Sequence, residues 1–295
     1  MNLQPGDHAV IIGPASALRT ADKDLLPMAV SLLESWGLSV EVRVDDAHHF
    51  YLAGPDSVRV KHFHAALADA RARAIFCLRG GYGSPRILPL LDKQIRPHPK
   101  ILVGYSDVTS LQAAVARLWP QIDLIYGPNV ATRQFLDQTP PSEATRNSLR
   151  DLLFSPKRPL VEEVQFIRPG RARGRLTGGC LSMLVSLLGT YYAPRTTGTI
   201  LFLEDIGEAP FRVDRMLTHL RNAGKLSSVR GIVFGEMRNC HDPYNDLRDV
   251  LRDLFQKENF PVAFGLRSGH GEINLSLRLG AIAQLDSDDS TFRMG

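Results

Sequence analysis

Apolar runs and helically spaced apolar stripes alternate along the first 130 residues. "HAVII" at 8–12 is almost continuously apolar and breaks at Gly13-Pro14, the pattern of a strand buried on both faces. Leu25, Leu26, Ala29, Leu32, Leu33 and Trp36 then recur at helical spacing, and Gly37 follows as a stop, so a helix is predicted over 23–36. "LSVEVRV" predicts the next strand, a helix follows over 57–70, and "AIFCL" is a strand running into "RGGYGS". "KILVGY" repeats the pattern, with a helix from Asp107 to about Leu118. Strand alternating with helix is the signature of a doubly wound α/β sheet with crossover helices.

Between 134 and 173 the texture changes. "DQTPPSEATRNSLRDLLFSPKRP" is rich in proline and charge and predicts a connection between domains, with one short helix opened by Ser142. The expected organisation is therefore a first domain over 1–135, a connecting segment over 136–172 and a second domain over 173–295. The second block holds "GRLTGGCLSMLVSLLGT", the strand "GTILFLEDI", a helix over "APFRVDRMLTHLRNAG" and the strand "VRGIVFGEM". A helix near 247–257, "PVAFGL" and a final pair of short strands in "LSLRLGAIAQLD" complete it.

Composition narrows the partners. The chain is 44% hydrophobic and 22% charged, with a formal charge of +4 and a pI near 9.0. Its basic residues are scattered, which gives no nucleic-acid footprint and suits an anionic small substrate. Cys77, Cys180 and Cys240 lie far apart and form no CxxC pair, arguing against a zinc ribbon or disulfide framework and for a reducing compartment. The amino terminus has no basic leader, and no apolar run approaches the ~18 residues of a membrane span. A cytoplasmic protein without membrane partners is expected. His62 and His64 stand two apart on a helix and so face different directions, a poor arrangement for a metal.

The chemistry-bearing positions follow the apolar runs. Ser106 stands at the seam between the strand "KILVGY" and the next helix. There it can cap the helix, or it can be a nucleophile mounted on a strand-to-helix turn, where helix N–H groups also favour an oxyanion. "GYSDV" is an incomplete nucleophile elbow, with Gly104 present but Val108 in place of the second glycine. In "LRGGYGSPR", Gly80 and Gly81 allow a tight turn or a close backbone approach. Beside Ser106, the loop's N–H groups could act with that of Asp107 on an oxyanion. Glu204 and Asp205 lie just past an apolar strand, and His270 stands between glycines in "GLRSGHGEIN". Together these supply a nucleophile, a base and an orienting acid in the chain order Ser, Glu, His.

With these residues the chain resembles the LD-carboxypeptidase family of serine peptidases, which includes muropeptide LD-carboxypeptidases and the microcin C immunity peptidase. "RGGYGSPRILPLLD", "GYSDVTSL", "GGCLSMLVSLLGT", "LEDIGEAPFRVDRMLTHLRNAG" and "SGH" occur in the family's order and spacing across nearly the whole chain. The resemblance implies Ser106 as nucleophile, His270 as general base, Glu204 as its orienting carboxylate, and no metal or other cofactor. It implies an N-terminal flavodoxin-like doubly wound parallel sheet, a C-terminal β-rich α/β domain and a homodimer. The implied reaction releases the terminal D-alanine of a muropeptide tetrapeptide at an L-D bond, in peptidoglycan recycling. On that mechanism the N–H groups of Gly81 and Asp107 form the oxyanion hole. Arg79 is the candidate cation for the substrate's carboxylate, with a structural ion pair as its alternative. Cys180 follows the paired glycines where the family usually has asparagine, and "LRSGHGEIN" replaces a "GFPFGH"-like run. Those changes leave Ser, Glu and His in place and bear on the substrate. An alternative substrate is therefore an aminoacyl- or peptidyl-nucleotide amide, as in the immunity peptidase. An alternative of another class is a non-catalytic ligand-binding module on the same scaffold.

Overall fold

In a computed structural model, which describes residues 1–45, 48–155 and 159–295, the chain forms two compact units, Met1–Pro156 and Lys157–Gly295. The alternating apolar runs of the first unit become five strands: β1 (His8–Ile12), β2 (Ser39–Arg43), β3 (Ala72–Cys77), β4 (Ile101–Gly104) and β5 (Asp123–Tyr126). They run parallel in the order β5-β4-β3-β1-β2. That is the flavodoxin-like order, in which the carboxyl ends of the strands form the ligand edge. The helices of this unit are α1 (Leu25–Ser35), α2 (Asp56–Ala68), α3 (Ser84–Ile87), α4 (Thr109–Leu118), α5 (Arg133–Leu136) and α6 (Pro140–Phe154).

Within the expected connecting segment, Pro140–Phe154 form a helix that packs into the first unit. Helix α6 presents Ser142, Thr145, Leu149 and Leu153 at helical spacing as its buried residues. Leu149 and Leu153 enter the same core as Ile11, Phe76, Val103 and Leu33. Burying a leucine is worth about 1.5–3 kcal/mol, so this stretch belongs to the first unit. Its cap is Thr139, whose hydroxyl accepts from the Ser142 N–H at 3.4 Å; Ser142, the expected opener, lies inside the helix. Residues 156–158 of the expected connection lie outside the described residues.

The remainder of that segment joins the second unit, whose strands are β6 (Leu160–Glu163), β7 (Gln165–Arg168), β8 (Arg171–Cys180), β9 (Thr199–Ile206), β10 (Gly231–Arg238), β11 (Val262–Phe264), β12 (Leu277–Leu279), β13 (Ile282–Asp286) and β14 (Thr291–Met294). Its sheet runs β6-β14-β13-β8-β9-β10-β11-β7. The central β8-β9-β10-β11 are parallel, and antiparallel strands flank them on both sides. Helices α7 (Leu181–Ser186), α8 (Pro210–Asn222) and α9 (Leu247–Phe255) complete the unit. Val213, Leu217 and Leu220 of α8, with Leu251 and Phe255 of α9, close a core on Leu201, Leu203, Ile232 and Phe234. Among the described residues no helix is long and apolar enough to cross a membrane.

Candidate active site

The turn after β4 is strained. Ser106 has φ +64°, a left-handed conformation that costs a residue other than glycine about 1–2 kcal/mol. Neighbouring groups hold it there. Asn129, past the end of β5, brackets Tyr105: its Oδ1 accepts the Tyr105 N–H at 3.4 Å and its Nδ2 donates to the Tyr105 carbonyl at 3.3 Å. The Ser106 N–H donates to the Tyr126 hydroxyl at 3.3 Å. No side-chain cap opens the turn at 106–108 or helix α4. Tyr105 and Val108, not Ser106, stand at the N-cap positions of these two turns.

Asp107 fastens the glycine-rich loop to this turn. Its buried carboxylate accepts the N–H groups of Gly83 at 3.3 Å and Ser84 at 2.8 Å, and the Ser84 hydroxyl donates back to the Asp107 carbonyl. Burial pushes the Asp107 carboxyl above its ordinary range, and the Ser84 and Gly83 donors oppose that shift. At the head of the loop, a Cβ on Gly80 would stand 3.0 Å from the Ser106 Cβ and 3.1 Å from its Oγ, so only glycine leaves the serine its place. Among the described residues the N–H groups of Gly81 and Asp107 have no hydrogen-bond acceptor.

Arg79 precedes these glycines and is half-buried. Its Nη1 donates to the Ala17 carbonyl at 3.2 Å. No carboxylate among the described residues lies within ion-pair distance of it. Burial, and then the charge of Arg19, lower its affinity for a proton. It lines a cleft of about 480 Å³ with Ser16, Arg19, Thr20, His48 and Tyr51.

In the second unit the candidate acid and base meet. Glu204 lies in β9, which is buried almost throughout. Successive strand residues face opposite sides of a sheet, and that separates the two adjacent carboxylates. Asp205 accepts the Ser182 N–H at 2.8 Å at the start of α7, and burial raises its carboxyl. Glu204 Oε2 instead lies 2.7 Å from Nδ1 of His270 and accepts the His270 backbone N–H at 3.1 Å. Burial pulls the His270 imidazole down, but the hydrogen bond and charge of Glu204, joined by the charge of Asp205, outweigh it and leave the pKa raised.

The histidine loop is built around that contact. Gly269 has φ +114°, and a Cβ there would lie 2.7 Å from the Glu204 carboxyl carbon. Its N–H donates to Asn274 Oδ1 at 2.9 Å, and the Leu275 N–H donates to the Arg267 carbonyl at 2.8 Å, closing the loop on itself. Sequence reasoning missed Asn129, Tyr126, Ser84 and Asn274. Asn129 had a visible signal, a lone amide in "YGPNVA" just past a strand.

One trio of possible metal-ligating groups occurs among the described residues, His8, Glu41 and Asp69. Arg43 donates to both of its carboxylates, and Arg71 to Asp69, which makes it an ion-pair network. The hydrogen bonds of Arg71 hold the Asp69 carboxyl far below its ordinary range.

Comparison with known proteins covers both units. Residues 10–127 match the LD-carboxypeptidase N-terminal domain, and residues 173–285 match the LD-carboxypeptidase C-terminal domain. The probable murein peptide carboxypeptidase of Bacillus subtilis is 35% identical over 98% of this chain and 92% of its own. The murein tetrapeptide carboxypeptidase of Pseudomonas aeruginosa is 31% identical over 97% of this chain and 95% of its own. The crystal structure of muramoyltetrapeptide carboxypeptidase from Oxalobacter formigenes aligns with a TM-score of 0.86 at 29% identity, over 97% of each chain. The microcin C7 self immunity protein MccF has a TM-score of 0.88 at 23% identity, covering 99% of this chain and 97% of its own, a likeness of fold.

Proposed function

The chain belongs to the LD-carboxypeptidase family of serine peptidases, and from that premise we propose that it releases the terminal D-alanine of a muropeptide tetrapeptide at an L-D bond. The observation that carries this reading is the near-full-length match to relatives named for murein peptides, at 31% and 35% identity.

Ser106 is the nucleophile, His270 the general base and Glu204 the carboxylate that orients it. With Nδ1 of His270 on Glu204 at 2.7 Å, the proton of the neutral ring stays on Nδ1 and the lone pair on Nε2. Nε2 takes the proton of the Ser106 hydroxyl as its oxygen attacks the scissile carbonyl. The N–H groups of Gly81 and Asp107 receive the oxyanion, each such donor being worth about 3–4 kcal/mol in the barrier. His270 then gives its proton to the amine of the departing D-alanine, and water, deprotonated by the same ring, releases the acyl group from Ser106. The guanidinium of Arg79 meets the free carboxylate of the terminal residue. No step calls for a metal.

The same reading makes the protein a cytoplasmic homodimer acting in peptidoglycan recycling. Sedimentation at micromolar concentration should give twice the 32.7 kDa chain mass. For the activity, incubation with a disaccharide tetrapeptide followed by mass analysis should show loss of one alanine. An unchanged substrate, with an aminoacyl-nucleotide amide hydrolysed in its place, overturns the assignment.

A further inference from the structure

Arg59, in the first turn of α2, is a charged side chain wholly buried in the first unit, and nothing in the mechanism uses it. A buried guanidinium is costly unless its donors are filled, and here each nitrogen has an acceptor. Nε donates to the Gly54 carbonyl at 3.2 Å. Nη1 donates to the carbonyls of Pro14 and Gly83, the latter at 2.9 Å. Nη2 donates to the Asp56 carboxylate, which Arg86 holds in turn through Nε at 2.9 Å and Nη2 at 2.8 Å. One planar fork thus ties together the turn after β1, the approach to α2 and the glycine-rich loop after β3.

Ser16 ties the first of these segments to the glycine-rich loop a second time. Its N–H donates to the Gly80 carbonyl at 3.2 Å. Its hydroxyl accepts the Tyr82 N–H at 3.0 Å and donates to the Tyr82 carbonyl at 3.2 Å. Gly81, between them, has φ +95°, and a Cβ there would collide with the Ser16 hydroxyl. Beyond it, the Gly83 carbonyl rests on Arg59, and the Gly83 and Ser84 N–H groups rest on Asp107. Arg59 also fixes the ground under Ser16, through Pro14 and through Gly54, whose neighbour Ala53 donates its N–H to the Ala15 carbonyl at 3.0 Å. The loop is therefore pinned at Gly80, Tyr82, Gly83 and Ser84. Among the described residues only the Gly81 N–H between these anchors is left without an acceptor. A donor whose neighbours are all fixed in advance meets a developing charge without reorganising.

We propose that Arg59 and Ser16 are positioning residues of the oxyanion hole, which together aim the Gly81 N–H at the oxyanion. The inference rests on the reading of Ser106 as nucleophile, and every contact it uses lies within the first unit. Neither residue touches the reacting atoms; both act through the loop.

The test follows phosphonylation of Ser106 by a fluorophosphonate on the full-length protein, with kcat and KM for D-alanine release and the folded fraction measured alongside. Arg59→Lys keeps a positive charge beside Asp56 but loses the fork that serves several carbonyls. Ser16→Ala removes the bracket on Tyr82 without changing any charge. Each should slow phosphonylation and lower kcat by about a hundredfold, the usual order for a catalytic group displaced by an ångström. KM should stay within twofold, and the pH midpoint of kcat/KM should not move, because the base is unchanged. If Arg59→Lys does not fold, Ser16→Ala decides the matter alone. A wild-type rate of phosphonylation in either folded variant, a loss confined to KM, or a loss no greater than that of the folded fraction overturns the inference. Labelling that slows as expected while the tetrapeptide stays intact faults the substrate assignment and supports the role of both residues. A wild-type Ser106 that the fluorophosphonate leaves unlabelled removes the nucleophile and the inference with it.

Discussion

Ser106 holds φ +64°, which an alanine there must hold as well and a glycine adopts freely. Ser106→Gly should therefore be more stable than Ser106→Ala by about 1 kcal/mol in urea unfolding, while both lack hydrolysis; the reverse order would mean the turn is relaxed. The sequence left Ser106 open between cap and nucleophile, and its backbone angle was not legible there because Tyr126 and Asn129 impose it from another strand end. Glu204 and Asp205 were equally open, and the alternation of β9 assigns one to His270 and the other to Ser182. For His270 the pH consequence has a definite sign. A general base works when deprotonated, so kcat/KM falls as pH drops through its pKa, and a raised value puts that midpoint above the ordinary ~6.5. Glu204→Gln removes the main raising influence and leaves burial opposed only by the weaker charge of Asp205, so its residual activity should show the midpoint moved to lower pH. A midpoint unmoved by Glu204→Gln would mean the carboxylate does not govern the ring.

The loop 266–276 and helix α6 differ in how far the sequence announced them. The glycines of "SGHGE" marked a loop built for position, and the packing of Gly269 on Glu204 gives the reason. Gly269→Ala should lower kcat/KM by about a hundredfold, the usual order of loss when a catalytic group is displaced by an ångström, with the fold retained by circular dichroism. Near-wild-type activity would show that the loop tolerates displacement. Helix α6 was read as one short helix within a connection, because Pro140-Pro141 and a dense run of charge suggested a linker. Proline in the first turn is compatible with a helix, and its apolar residues, though few, are at the right spacing to reach the core. Leu149→Ala should cost about 2–5 kcal/mol in unfolding of the first unit; a loss below half a kilocalorie would return the segment to linker status.

Across the molecule, parallel strands such as β1, β3, β4 and β9 were legible as apolar runs, whereas β8 is largely polar and glycine-rich. Of the antiparallel additions to the second sheet, β13 was legible in "LSLRLGAIAQLD", and β6, β7 and β14 were not. "LVEE", "QFIR" and "TFRM" are short and half polar, and β14 pairs β6 with Thr291 opposite Glu163, partners remote in sequence that no local pattern reveals. The nucleophile proposed, Ser106, belongs to one unit and the proposed base and acid to the other, so the proposed chemistry needs both. The rate of D-alanine release by Ser106→Ala, His270→Ala and the double variant tests this. Groups that act as one device are not additive, so each single change should cost several orders of magnitude and the double change no more than the worse single. A fully active Ser106→Ala protein, or losses that multiply in the double variant, would contradict it.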